Sequence, residues 1–129
     1  MANAGDPSAE LELARDALAD ARILHAGDGT RAGVVNRLYY AAFHAAQAAL
    51  YANGTVPTSH GHVRQAFGQE LVLNDDATRA DGRLLGELYD YRQQADYGVG
   101  DPPIDPAELL DDVDGFVSRM ANFVLGRTE

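Results

Sequence analysis

Cysteine is absent from the 129 residues, which excludes a disulfide scaffold, a thiol nucleophile and cysteine-ligated zinc, and leans toward an intracellular setting. Lysine is absent as well: all ten basic residues are arginine. No apolar run approaches the roughly 20 residues of a membrane-spanning helix, and an N-terminus bearing Asp6 and Glu10 lacks the basic and apolar regions of a secretory signal. The sequence therefore reads as soluble and cytoplasmic. It also lacks a Gly-rich phosphate loop, a Gly-x-Ser-x-Gly elbow and a His-Glu-x-x-His pair, so the common phosphate-loop, serine-hydrolase and zinc-protease chemistries are excluded. The length suits one compact domain, which can bury about two-thirds of its unfolded surface without metal or disulfide staples.

Charge of one sign is scarce. Twenty acidic residues, fourteen Asp and six Glu, face ten Arg, for a formal net charge of -10. A GC-rich genome could exchange Lys for Arg by mutational bias, but that bias does not produce a twofold acidic excess. Adaptation to molar salt accounts for both, because at about 1 M salt the screening length falls to roughly 3 Å and self-repulsion is largely silenced. A salt-adapted chain is expected to lose helicity when dialysed into dilute buffer; an unchanged circular dichroism spectrum would contradict that reading. The same charge repels phosphates over most of the surface, so any RNA contact must be local.

Apolar spacing predicts an all-α, antiparallel up-and-down bundle of four to five helices. Leu11, Ala14, Leu18, Ala21 and Leu24 form one stripe over residues 8 to about 26, between Pro7 and Gly27. Val34, Leu38, Ala42, Ala45 and Ala49 mark a longer, alanine-rich helix over residues 30–52, whose small side chains permit close helix approach. A third helix starts at Thr58 or Ser59 as N-cap and runs to about residue 73, with Val63, Phe67 and Leu71 inward. The fourth spans about 78–97, with Leu84, Leu85, Leu88, Tyr89 and Tyr91 inward, and the fifth starts with Pro106 in its first turn. Residues 98–106 hold three prolines and two glycines and are not helical. Residues 1–7 read as a flexible tail and residues 8–129 as the single domain.

Three constellations could carry chemistry. Arg37, Tyr40 and His44 lie at i, i+3 and i+7, on one face of the second helix. The same pattern also describes a helix edge where Arg snorkels, Tyr packs and His44 is a hydrogen-bonded core residue. Arg92 and Asp96 are an i, i+4 pair near Tyr89 and Tyr97; by default such a pair is a surface ion pair worth under about 1 kcal/mol. His60 and His62 flank Gly61 at a helix start, where Thr58 or Ser59 explains the segment as a cap. With no Cys, Asp or Glu nearby, no metal site is assigned there, although His60 can reach a cleft. Arg79 and Arg83 read as a solvated pair.

Taken together, residues 36–44 (NRLYYAAFH), 59–63 (SHGHV) with Phe67, and 92–98 (RQQADYG) resemble the HEPN superfamily, in particular its small stand-alone prokaryotic members. The resemblance covers essentially the whole chain. It implies a helical bundle that homodimerises through the motif-bearing helices, and in many members a metal-independent endoribonuclease toxin, without cofactor, paired with a minimal nucleotidyltransferase as antitoxin. Those members place Arg, four to six intervening residues and His at the dimer cleft. The Arg would stabilise the strained phosphate while the His acts on the 2'-hydroxyl or the leaving oxygen, giving a cyclic phosphate.

In this sequence Arg92 is followed after four residues by Tyr97, not His. A phenol with an ordinary pKa near 10 is a poor base at neutral pH. Arg37 and His44 satisfy the longer spacing, but on the central helix. Three readings follow from the resemblance. The chain cuts RNA with Arg92, oriented by Asp96 and assisted by His44 or Tyr97, with Arg37 alongside and Tyr40, His60 and Tyr89 as binding residues. Alternatively, it is a non-catalytic module that docks a nucleotidyltransferase or binds a nucleotide, with Tyr97 or a neighbouring Tyr able to accept a nucleotidyl group. Or it is a structural dimer subunit alone.

Overall fold

Residues 5–97 and 104–128 are described by a computed structural model. They form an all-α bundle in the order α1 (Pro7–Ala26), α2 (Arg31–Ala52), α3 (His60–Ala66), α4 (Arg79–Asp96) and α5 (Pro106–Thr128), with no strand among the described residues. The first four residues of the expected tail, and residues 98–103 of the proline-rich connection, lie outside the described residues. Asp6 accepts a hydrogen bond from the backbone N–H of Ser8 and so caps α1, while Pro7 stands in its first turn, where its missing N–H costs nothing.

The third helix differs from the regular one that its spacing predicts. After Ala66 the chain widens into one π-helical turn, Phe67–Val72, closed by the Leu73 N–H on the Gly68 carbonyl at 3.1 Å. Widening keeps Phe67 and Leu71 in the core, both essentially fully buried.

Three helical segments end in the same way. The N–H groups of Gly29, Thr55 and Asp76 reach back to the carbonyls of Leu24, Leu50 and Leu71, at 2.6, 2.9 and 2.8 Å. The residue before each N–H must then take positive φ, and the chain supplies Asp28 (+57°), Gly54 (+87°) and Asp75 (+62°). Gly54 is the conventional choice; Asp tolerates this conformation through local hydrogen bonding of its short side chain. Thus Gly27, read as the stop of α1, occupies its C-cap with ordinary φ, and Asp28 makes the turn.

α2 is the axis. Its buried residues include Val34, Val35, Leu38, Ala41, Ala45, Ala48 and Leu50, which cover more than one face, and it packs against every other helix. Alanines permit this enclosure because larger side chains would hold the neighbouring backbones away. Phe67 and Phe116 close the core between the third and fifth helices, with ring centroids 5.7 Å apart.

One charged side chain lies deep in the packing. Asp81 is 2% exposed, yet its polar groups are engaged: Oδ2 accepts the Thr78 N–H at 3.1 Å, Thr78 Oγ1 accepts the Asp81 N–H at 3.0 Å, and Oδ1 accepts from Arg119 Nη2 at 2.6 Å. This capping box both starts α4 and ties it to α5, which satisfies a carboxylate that would otherwise be costly to bury. In helical sequence terms, Asp81 looks like an ordinary first-turn acid.

Candidate functional site

Every motif singled out in the sequence contributes a ring or a charge to one cluster, built where α2, α3 and α4 meet. α2 presents Tyr39, Tyr40, Phe43 and His44 within little more than one turn. Tyr39 and Phe43 are buried, and Tyr40 and His44 are half-buried. α3 opens with His60, because Ser59 Oγ accepts the His62 N–H at 3.0 Å and fixes the cap. The imidazole of His60 stacks on Phe43 with centroids 4.2 Å apart, and its Nδ1 lies 2.8 Å from the Tyr39 hydroxyl. His62 turns elsewhere; its Nδ1 accepts the Thr58 N–H at 3.1 Å.

α4 brings Arg92 over these rings. Its guanidinium carbon stands 5.1 Å from the Tyr39 centroid and 5.2 Å from that of Tyr40, a double cation–π seat. Asp96 Oδ2 lies 3.4 Å from Arg92 Nε, near enough to pair with its charge but not aligned to accept its N–H. Arg92 Nε is thus a buried donor without a hydrogen-bond acceptor among the described residues. Tyr89 joins from the same helix, its ring 6.2 Å from Tyr39 and its hydroxyl accepting from Gln93 Nε2 at 2.7 Å.

The α2 face extends outward from this centre. Arg37 also lies over Tyr40, 5.3 Å from the ring centroid, and donates to Asn36 Oδ1 through Nε and Nη2, at 3.2 and 2.9 Å. His44 stacks beside Tyr40 with centroids 6.1 Å apart, and its Nδ1 lies 2.7 Å from Glu10 Oε2 on α1. Tyr97 stands apart from the rings as the C-cap of α4, with 77% of its surface exposed.

Electrostatics favour a neutral imidazole at the centre. Burial lowers the pKa of His60 below its ordinary 6.5, and the charges of Arg92 and His44 lower it further. Burial pushes the Tyr39 phenol up to about 12, with Arg92 opposing, so that hydroxyl keeps its proton at neutral pH. An NMR titration is expected to place His60 below 6.5, and Arg92→Gln should raise it by removing a like charge. A His60 that titrates above 6.5 in the native chain would contradict this arrangement.

Two pairings were invisible to sequence reasoning. Phe43, the surface on which His60 lies, looks like one more core aromatic at helical spacing. Glu10 meets His44 across 34 residues of chain, and no local pattern announces such a pairing. Among the described residues, no group of three or more His, Cys, Asp and Glu side chains could hold a metal ion. No helix among them is long and apolar enough to cross a membrane.

The chain belongs to the HEPN family, whose domain model matches residues 8–124. It is 33% identical over 111 residues to a protein of Methanocaldococcus jannaschii named "Putative toxin", covering 85% of this chain and 82% of that one. It is also 33% identical over 85 residues to a UPF0332 protein of Thermotoga maritima, covering 66% of this chain and 64% of the relative. A second "Putative toxin" of M. jannaschii matches at 32% over 63 residues, 49% of this chain and 43% of the relative. No solved structure matches the chain.

Proposed function

We propose that this chain is a toxin-type HEPN protein and a metal-independent endoribonuclease, acting as a homodimer whose antitoxin is a minimal nucleotidyltransferase. The observation that carries the catalytic reading is the buried, acceptor-free Nε–H of Arg92 held beside a neutral His60. A guanidinium seated on two tyrosine faces keeps a fork of donors that matches the geometry of a phosphate. The relatives named as toxins support the broader part of the reading.

The chemistry follows from the placements. In the tautomer that carries its proton on Nδ1, facing the Tyr39 oxygen, His60 presents Nε2 to remove the proton of a ribose 2'-hydroxyl. The resulting oxygen attacks the adjacent phosphorus, and the bond from phosphorus to the 5'-oxygen breaks. His44, held on Glu10, gives the departing 5'-oxygen its proton. The products are a 2',3'-cyclic phosphate and a 5'-hydroxyl. Arg92 stabilises the extra negative charge on the phosphoryl oxygens as it develops. Asp96 and Arg37 orient Arg92 and Tyr40, and Tyr40 and Tyr89 hold the arginines that meet the RNA over their rings.

Purified protein in molar salt with a chelator present is expected to cut RNA and leave cyclic phosphate ends. Intact RNA at every salt concentration would refute the catalytic reading. Tyr97 standing where the family signature has His favours a second reading, a docking module for the nucleotidyltransferase. In that case the exposed Tyr97 oxygen would bond to the α-phosphorus of a nucleoside triphosphate, expelling pyrophosphate. Mass spectrometry of the co-expressed pair finding only unmodified tyrosines would count against it.

A further inference from the structure

A cavity of about 610 Å³ opens between the third helical segment and the start of α4, and its composition runs against that of the chain. Although acidic residues outnumber arginines twenty to ten, three arginines (Arg64, Arg79 and Arg83) line this space and no carboxylate does. No salt bridge among the described residues engages any of the three. Three glycines (Gly61, Gly68 and Gly82) form much of the remaining wall. A Cβ built at Gly68 meets nothing within 4 Å, and one at Gly61 meets only Ser59 Oγ, at 3.9 Å. These two glycines therefore keep the wall low without being needed for backbone strain or for tight packing.

This cavity adjoins the aromatic cluster. Gly61 follows His60 directly in α3, and the Arg64 guanidinium lies 5.0 Å over the Tyr89 ring, whose own neighbour is Tyr39. Arg64, one turn beyond His60, bridges the two. Arg83 also borders the adjoining cavity, where Glu87, Asp111 and Asp112 stand, so its charge is shared between the two spaces.

We propose that this cavity is the backbone-phosphate subsite for single-stranded RNA, with Arg64, Arg79 and Arg83 holding phosphates that flank the nucleotide seated at Arg92. The inference rests on the ribonuclease reading for its choice of ligand, but not on cleavage itself. Guanidinium forks match phosphate geometry, and glycine walls let a sugar–phosphate chain approach closely. On a surface that otherwise repels nucleic acid, such a patch is also where a strand would first be captured.

The test is anisotropy of a fluorescein-labelled oligouridine over a salt series, with the full chain and circular dichroism as a control on folding. The triple variant Arg64→Gln, Arg79→Gln, Arg83→Gln is expected to weaken binding about tenfold or more at low salt, and to reduce the salt slope by about 0.7 for each phosphate that the protein no longer neutralises. Gly68→Glu, which adds a carboxylate into open space, should weaken binding without touching an arginine. Arg83→Gln alone should have the smallest single effect.

Wild-type affinity and slope in the triple variant would overturn the inference, and would leave the ribonuclease reading standing if cleavage persists. The converse is equally readable. A wild-type chain that binds oligouridine through these arginines but never cuts it keeps the subsite and removes the nuclease. If the triple variant binds RNA normally but no longer retains an acidic protein partner, the patch is a protein interface and the proposal fails. The proposal also fails if the wild-type chain does not bind oligouridine at all.

Discussion

Arg92→Ala should lower the single-turnover rate of RNA cleavage at least a hundredfold while leaving the helical content of the protein unchanged. Removal of one preorganised donor to a developing oxyanion costs about 10²–10³ in rate, and Arg92 is the guanidinium seated over both Tyr39 and Tyr40. Its structural value is smaller. The side chain is 23% exposed, and its Asp96 partner is half-exposed, so the ion pair is worth little and each tyrosine contact about 0.5–2 kcal/mol. Activity and melting temperature should thus separate sharply. Arg92→Lys is a stricter probe: it keeps the charge, but a point-like ammonium cannot lie across two rings and offer a directed Nε–H. It should recover little of the rate. An Arg92→Ala protein that cuts RNA at the native rate would remove the guanidinium from the chemistry.

Phe67→Ala should damage the core severely, costing about 3–5 kcal/mol. Phe67 has no exposed surface, stands at the entry to the π-helical turn and packs against Phe116, which is equally buried. Loss of the ring leaves a cavity that a widened turn, already a compromise in hydrogen bonding, is badly placed to collapse into. A domain of this size has a total stability of about 5–15 kcal/mol, so the melting temperature should fall by about 10 °C or more, and in dilute buffer the chain could unfold outright. A loss below about 1 kcal/mol in chemical denaturation would mean that the turn repacks and that its geometry is not dictated by Phe67.

The bundle was legible because its helices are amphipathic in the ordinary way. The stripes Leu11–Ala14–Leu18–Ala21 and Val34–Leu38–Ala42–Ala45–Ala49 are buried and Leu24, the last of the first stripe, is partly buried against the core, since a period of 3.6 residues records directly which side faces a neighbour. Most residues of the cluster were legible as local groups, but Tyr97 stands apart from it and its centre was not legible. Spacing along one helix placed Arg37, Tyr40 and His44 on a face and Arg92 near Asp96. Only packing between helices seats Arg92 on Tyr39 and Tyr40. The imidazole that meets the Arg92 cluster and bonds to Tyr39 is His60, which sequence reading placed only among the binding residues. A cap residue and a histidine at a helix start look alike whatever lies opposite them, because what lies opposite comes from elsewhere in the chain. The π-helical turn had no local announcement either; it answers to where Phe67 and Leu71 must go, not to any preference of residues 67–72 themselves.

The enclosure of α2 by all the other helices has a kinetic consequence. The amide protons of its buried middle, Leu38 to Leu50, should exchange with solvent only when the entire domain opens, whereas those of the seven-residue α3 can exchange through brief local fraying. The ring platform of Tyr39, Tyr40 and Phe43 is then the stationary half of the cluster. His60, carried on the first residue of a short helix, belongs to the half able to shift by fractions of an ångström as a strand settles.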